Sequence, residues 1–416
     1  MSTSDVETLN VGLTMTTQAV SADALAATQR ALGPLHVLDL GHLGCVDAHR
    51  QLGQDVRPQV WRILDDKLTA PPDRLARQIR LARYSQALVQ QKLTVLGDPM
   101  IHGALGDFVN CLTAWGQGAG LASFRADRLR GVVVDGQPLS DADLAWWLQD
   151  DQGGCQTGVL RDHDGSAVFW HTEEDHSQPG RRLDRLRLFS YSVSANGRPV
   201  AVFGFIYPDL LPGSAFGWRT DGYVQGVDSL NLKPMEQQGG LFANVAAWVS
   251  LHLGHSLGLA ALVGGLGPFA DGYAITGVSS SQGVVSAEKV EFSRSLLHAA
   301  RLPAQPGTFM FQVNMFSDRQ APVAALCEDI SPEKRARLAG RLDRANRHLT
   351  GFSKQPPAEA LVVDLLRSRE GADYAFANPD VKANLVARLS GTQMTVSAAA
   401  GPSVLGEDRL HFQYAL

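Results

Sequence analysis

Cys155 sits in the stretch Gln149-Asp150-Asp151-Gln152-Gly153-Gly154-Cys155-Gln156-Thr157-Gly158, with no second cysteine near it. A free cysteine is usually a small buried hydrophobe. Three features favour chemistry at this one. Its neighbours are glycines and small polar residues instead of core residues. It stands where helical patterning gives way to β patterning, and a hairpin begins directly after it. Cutting the peptide bond before it would free an α-amine with a pKa of about 7.7–8. Such an amine serves as general base to its own thiol near neutral pH, with no histidine needed. Gly154 suits the cut, because a residue without Cβ accepts the strained geometry that thiol attack on its carbonyl requires.

The elements that would position this thiol divide at the same point. From about residue 20 to 150 the pattern is helical. Residues 73–93 place apolar side chains at spacings of three and four, and Ser140-Asp-Ala-Asp143 forms a capping box ahead of Trp146 and Trp147. The polar, glycine-rich run before Cys155 reads as an exposed loop, where proteolysis is easiest. After it come short β-like runs around Asp164-Gly165 and Asn196-Gly197. Further strands are expected at 220–232, 272–278, 283–292, 308–314, 393–399 and 409–415. Helices are expected at 241–264, at 332–349 with Ser331 as N-cap and Pro332 first, at 357–369 and at 379–389. Hairpins, then helices, then strands again indicate an antiparallel α+β layered domain, not a doubly wound parallel sheet.

Other function classes fall away on composition. The 416 residues carry a net charge of −5 with the two signs interspersed, so no basic stripe is available for nucleic-acid phosphates. The four cysteines, Cys45, Cys111, Cys155 and Cys327, are widely spaced without a CxxC, which argues against a disulfide framework or a structural zinc site and for a reduced, cytoplasmic protein. No basic segment followed by an apolar run opens the chain, so no secretory signal is expected. Residues 246–270 are nearly uncharged but broken by His252, His255, several glycines and a proline, and read as a buried helix and turn with no membrane role. His163, His171 and His176 are spaced by eight and five residues, which does not gather three imidazoles on one face of a hairpin; no metal site and no cofactor are expected. Residues 264–269 (GGLGPF) follow a helix and precede a strand, the wrong context for phosphate binding.

The segment beginning Gly154-Cys155-Gln156-Thr157, with its Asp164-Gly165 turn and His171-Thr172-Glu173-Glu174-Asp175, resembles the start of the mature chain in N-terminal nucleophile hydrolases of the penicillin acyltransferase family. Residues 221–232 (DGYVQGVDSLNL), 311–318 (FQVNMFSD), the helix beginning at Ser331 and the terminal RLHFQYAL continue the resemblance over about residues 150–416. It implies a four-layer αββα sandwich and a precursor cut between Gly154 and Cys155. The products would be a mostly helical chain, 1–154, and a catalytic chain, 155–416, that stay together as a heterodimer, with further self-association open. It also implies an acyl-enzyme on Cys155, formed from a small-molecule amide, thioester or acyl-coenzyme A and resolved by water or by an amine.

The resemblance assigns Glu173 as an acid near the nucleophile. Asp228 stands where the family carries an asparagine that helps to bind the oxyanion. An ionised carboxylate cannot donate a hydrogen bond, so Asp228 is expected to hold an amine, and Asn314 is expected to be the oxyanion donor. Asn231, Thr157 and His171 are further candidates for oxyanion or substrate contacts. The family's Thr-Asn-His-Phe appears here as Val313-Asn314-Met315-Phe316, without its histidine. Two other readings stand beside this one: an uncleaved, non-catalytic scaffold that binds a small molecule or a partner, and a conventional Cys–His enzyme with His171 as base.

Overall fold

The computed structural model describes residues 19–149, 154–174, 187–195, 197–233, 239–317, 329–350, 357–371, 376–402 and 409–416. Ahead of Cys155 come α1 (Ala22–Leu32), β1 (His36–Gly44), α2 (Cys45–Lys67), α3 (Pro72–Val95), α4 (Pro99–Gly118), α5 (Leu121–Arg128), the two-residue strands β2 (Val133–Val134) and β3 (Gln137–Pro138), and α6 (Asp141–Leu148). Next are β4 (Gly154–Arg161), β5 (Ala167–Glu174), β6 (Arg187–Ala195), β7 (Arg198–Ile206), β8 (Phe216–Arg219), β9 (Tyr223–Leu230), α7 (Ala243–Leu253) and α8 (Leu259–Leu266). The chain closes with β10 (Gly272–Ser281), β11 (Val284–Phe292), β12 (Leu297–Arg301), β13 (Phe309–Gln312), α9 (Pro332–Thr350), α10 (Ala358–Leu366), β14 (Val381–Leu389), β15 (Gln393–Ala400) and β16 (Leu410–Ala415). The protein is mixed α+β.

Two large sheets carry the fold. One has eight strands in the order β1-β6-β7-β8-β9-β10-β11-β12, and the other has six in the order β13-β4-β5-β14-β15-β16. Strand alternation sends one set of side chains from each sheet to the other. Leu188, Phe203, Phe205, Phe216, Trp218 and Val224 of the larger sheet form one apolar cluster with Val159, Phe169, Leu385 and Val396 of the smaller. The opposite face of the larger sheet, through Tyr191, Val227 and Ile275, joins a cluster with α2, α4, α6 and α7 that includes Trp115, Trp147 and Trp248. The opposite face of the smaller sheet, through Leu160, Val168 and Trp170, packs on Leu338 and Leu349 of α9 and Val362 and Leu365 of α10.

Local signals explain much of this. Gly165 at φ +82° closes the β4–β5 turn, and Asp164 Oδ1 accepts from the Ser166 backbone nitrogen at 2.9 Å. The Ser140–Asp143 capping box starts α6. Ser331 Oγ accepts from Lys334 N at 3.2 Å at the head of α9. Of the Asn196-Gly197 turn, Gly197 has φ +74°, and Asn196 lies outside the described residues.

Three expectations change. Within the expected helix 379–389, residues 381–389 form strand β14. Ala, Leu, Lys and Arg are good helix formers, but nearly every residue of this segment is buried, because it pairs with β5 on one side and β15 on the other and is covered on both faces. A strand buried on both faces loses the alternation that would reveal it. The stretch 241–264 is split by a 3-10 turn at Gly254–Ser256, where Gly254 takes φ +62°. The helical first part also supplies a strand: β1 pairs parallel with β6 at the edge of the larger sheet. Among the described residues no helix is long and apolar enough to cross a membrane.

Candidate active site

Strands β4 and β5 are antiparallel, with Cys155 opposite Glu173 and Thr157 opposite His171. Directly opposed residues share a face, so these four side chains meet on the side turned toward the larger sheet. Strand β9 lies across from them and brings in Asp228, and a Cβ on its Gly226 would fall 2.7 Å from His171 Nδ1. A glycine there is what allows the close approach. Tyr207, just beyond β7, and Asn314, just beyond β13, complete a cluster that is almost wholly sealed: Cys155 is 2% exposed, and His171 and Asp228 are fully buried.

The hydrogen bonds define roles. Cys155 Sγ lies 3.0 Å from Glu173 Oε2, which also lies 3.0 Å from His171 Nε2. Glu173 Oε1 accepts from the Tyr207 hydroxyl. His171 Nδ1 is 2.8 Å from Thr157 Oγ1. The Thr157 hydroxyl therefore donates to Nδ1 and Nε2–H donates to Glu173. Burial lowers the His171 pKa to about 4, against the pull of Asp228 and Glu174, so the ring is neutral near pH 7. His171 thus orients Glu173 and is not in direct hydrogen-bond contact with the thiol, which leaves Glu173 as the group placed to take the Cys155 proton. Burial, followed by the charges of Glu173 and Asp228, pushes the Cys155 thiol well above its ordinary value, so the uncut chain holds a protonated thiol.

Asn314 takes a different role from the one expected. Its Oδ1 accepts from the Cys155 backbone nitrogen at 3.2 Å, and its Nδ2 donates to Ser229 O at 2.9 Å. An N–H on one side and a carbonyl on the other leave only one orientation for the amide. Its donor is turned away from Cys155, so Asn314 holds the Cys155 main-chain nitrogen and offers no donor to an oxyanion there. Asn231 supports it from behind, donating to Asn314 O at 3.0 Å while its Oδ1 accepts from Lys334 Nζ at 2.8 Å. We expect Asn314→Ala to slow any reaction of the Cys155 peptide or amine by about tenfold to a hundredfold, the scale of leaving buried polar groups unpaired. Unchanged single-turnover rates in a folded variant would remove Asn314 from this role.

Asp228 does face the cluster. Burial raises its carboxyl to about 7, with His171 and the Thr157 hydroxyl pulling it down. Neither carboxylate oxygen completes a hydrogen bond among the described residues, because the Thr157 hydroxyl is turned to His171. Lys289 also acts on it, but its ammonium donates to Gln312 Oε1 at 3.0 Å and Ser317 Oγ at 2.9 Å.

The adjacent acid behaves differently. Glu174 points to the opposite face of β5, where it accepts from Gln156 Nε2 at 2.6 Å, Asn378 Nδ2 at 3.0 Å and Arg341 Nη1 at 3.0 Å, tying α9 to the sheet. His163 is exposed at the β4–β5 turn, and His176 lies outside the described residues, as does Cys327. The donor atoms of Cys155, His171 and Glu173 lie within 4.8 Å of one another, a cation-binding set by residue type. Both His171 nitrogens are already engaged, one by Thr157 and one by Glu173, and the trio as arranged handles a proton. Sequence reasoning missed Tyr207, which no motif marks. A cavity of about 580 Å³ lined by Glu359, Val386, Ser397, Arg409 and Phe412 contains no residue of the cluster. The chain matches no model of a known protein family, and no curated protein matches it.

Proposed function

We propose that this protein is a cysteine N-terminal nucleophile enzyme that processes itself and then acts as an acyltransferase or amidohydrolase on a small-molecule amide or thioester. The observation that carries the reading is that the thiol of Cys155 and its own main-chain nitrogen face one buried polar cluster, the first against Glu173 and the second against Asn314. A cut before Cys155 would leave the new amine already in place beside the nucleophile. The two sheets, face to face with helices behind each, suit the four-layer αββα arrangement that such enzymes use. The shared apolar cluster of α2, α4 and α6 with β6 and α7 would keep the fragments 1–154 and 155–416 together.

In the first reaction Sγ attacks the Gly154 carbonyl carbon while Glu173 accepts the thiol proton. The C–N bond breaks as that proton passes to the departing nitrogen, which leaves a thioester. Water then hydrolyses the thioester, releasing the Gly154 carboxylate and restoring the thiol with a free α-amine. In turnover the amine takes the thiol proton, Sγ attacks the substrate carbonyl, the leaving amine or thiol departs with the proton, and water or an acceptor amine resolves the acyl-enzyme. Asp228, a buried carboxyl with no completed hydrogen bond among the described residues, fits an ammonium group, either that of Cys155 or that of a substrate.

Intact-mass analysis of the purified protein tests this. Two chains are expected, the larger beginning at Cys155, with summed mass one water above the uncut chain. A single full-length species after long incubation would leave the uncleaved scaffold as the better reading. A cut with a different new N-terminus would remove Cys155 from the role.

A further inference from the structure

Away from this site, α2 and α4 cross unusually closely. A Cβ on Gly53 would lie 2.1 Å from Trp115 O, and one on Gly118 would lie 2.0 Å from Arg50 O, so only glycine at these points lets the two helix backbones touch. The crossing brings together two thiols that are 66 residues apart in sequence: Cys45 Sγ and Cys111 Sγ stand 2.8 Å from one another. This is less than an ångström beyond the roughly 2.05 Å of a formed disulfide. Cys45 is the first residue of α2, where Gly44 supplies no side-chain cap, so its sulfur lies at the positive end of the helix. It is partly exposed, whereas Cys111 is buried.

His49, one turn along α2, defines the chemistry. Its Nδ1 lies 2.7 Å from Cys45 O and 3.7 Å from Cys45 Sγ, and its Nε2 lies 3.4 Å from Trp248 Nε1. An indole nitrogen only donates, so Nε2 is the acceptor and Nδ1 carries the proton. Nδ1–H therefore donates to Cys45 O, with the Cys45 sulfur as a more distant second neighbour, and the ring turns no lone pair of the kind a metal needs toward the sulfurs. This matters because Cys45, His49 and Cys111 would otherwise qualify as a cation site by type and distance. An N–H beside two thiols favours a thiolate instead.

We propose that Cys45 and Cys111 are a redox-active thiol pair, a modification site that closes to a disulfide between α2 and α4 when a hydroperoxide oxidises it and reopens with a dithiol reductant. One sulfur attacks the terminal peroxide oxygen, the O–O bond breaks, and the departing oxygen leaves with a thiol proton as the alcohol, or as water from hydrogen peroxide, giving a sulfenic acid. The second sulfur attacks that sulfur, the S–O bond breaks, and water leaves with the second thiol proton. The two sulfurs give up two electrons and two protons, and the hydroperoxide becomes water and its parent alcohol, or two waters for hydrogen peroxide. Burial opposes ionisation of both thiols; against it, the Cys45 hydrogen bond and the neighbouring His49 draw Cys111 down.

The test uses the full protein, reduced with dithiothreitol, desalted, and treated with one equivalent of hydrogen peroxide before alkylation and peptide mapping. The expected product is a linked peptide pair carrying Cys45 and Cys111, two hydrogens lighter than the reduced peptides and lost again on reduction. Closing so long a loop should also raise the melting temperature by several degrees. Cys45→Ser abolishes the linked pair, and if that variant does not fold the wild-type map decides alone. Full alkylation of both residues after peroxide, linkage of either to Cys155 or Cys327, or one bound zinc per chain that shields both from alkylation would overturn the proposal.

Discussion

Cys155→Ala is expected to yield one uncut chain and no turnover, with the fold retained. The substitution removes the sulfur held against Glu173, and alanine fits a strand position that is already closed off from solvent. Both activities should disappear together because, in the mechanism proposed, the same sulfur attacks Gly154 first and the substrate carbonyl afterwards. Loss of a covalent nucleophile removes the pathway itself, so the fall should reach the background of the assay. Cys155→Ser keeps the geometry and should be cut slowly, since a hydroxyl is the poorer nucleophile and only Glu173 is there to take its proton. Intact mass over days and acyl-enzyme trapping on the wild type read both steps. Cleavage or turnover persisting in Cys155→Ala would remove the nucleophile assignment, and with it the reading of Glu173 as the proton acceptor.

The second large effect concerns Asp228. In the folded chain its carboxyl is raised to about 7 from an ordinary 3.8, so the folded state holds a proton that the unfolded state releases. The favourable contribution is complete below the unfolded value and is lost as pH rises through 7. That gap corresponds to on the order of 4 kcal/mol by pH 8. Asp228→Asn removes the buried charge but leaves an unpaired amide costing about 1–3 kcal/mol. The net is a gain on the order of 1–3 kcal/mol at pH 8 that shrinks as pH falls and turns into a loss of about 1–3 kcal/mol toward pH 4, where the carboxyl is neutral in both states. Turnover should fall at the same time, because the group proposed to hold an ammonium is gone, a trade of stability for function. Denaturant unfolding at pH 5 and pH 8 together with steady-state rates checks both arms. A variant less stable at pH 8 with unchanged turnover would show that Asp228 already has a partner and no role in the reaction.

What the sequence determines by itself is local. The Asp164-Gly165 turn, the capping box at Ser140 and the spacing along residues 73–93 each act through backbone conformations or faces that neighbours in sequence define, and the structure has a hairpin and helices at those places. The placement of Cys155 at a helix-to-strand junction is legible for the same reason. The rest depends on what lies across the sheets. Residues 381–389 carry helix-forming side chains, yet they become a strand because two partners and two covered faces outweigh propensity. Glu173 and Glu174 are equivalent as letters. The pairing of β5 with β4 turns one toward Cys155 and the other toward Arg341, and no pattern in a uniformly buried strand says which. Asn314 turns its donor away from Cys155 because a hydrogen-bond orientation is decided by the partner atoms, here Ser229 O and Cys155 N, which come from separate strands. Tyr207 and the Cys45–Cys111 contact carry no sequence signal at all, since their partners are distant in the chain and only the packing of helices and sheets brings them within reach.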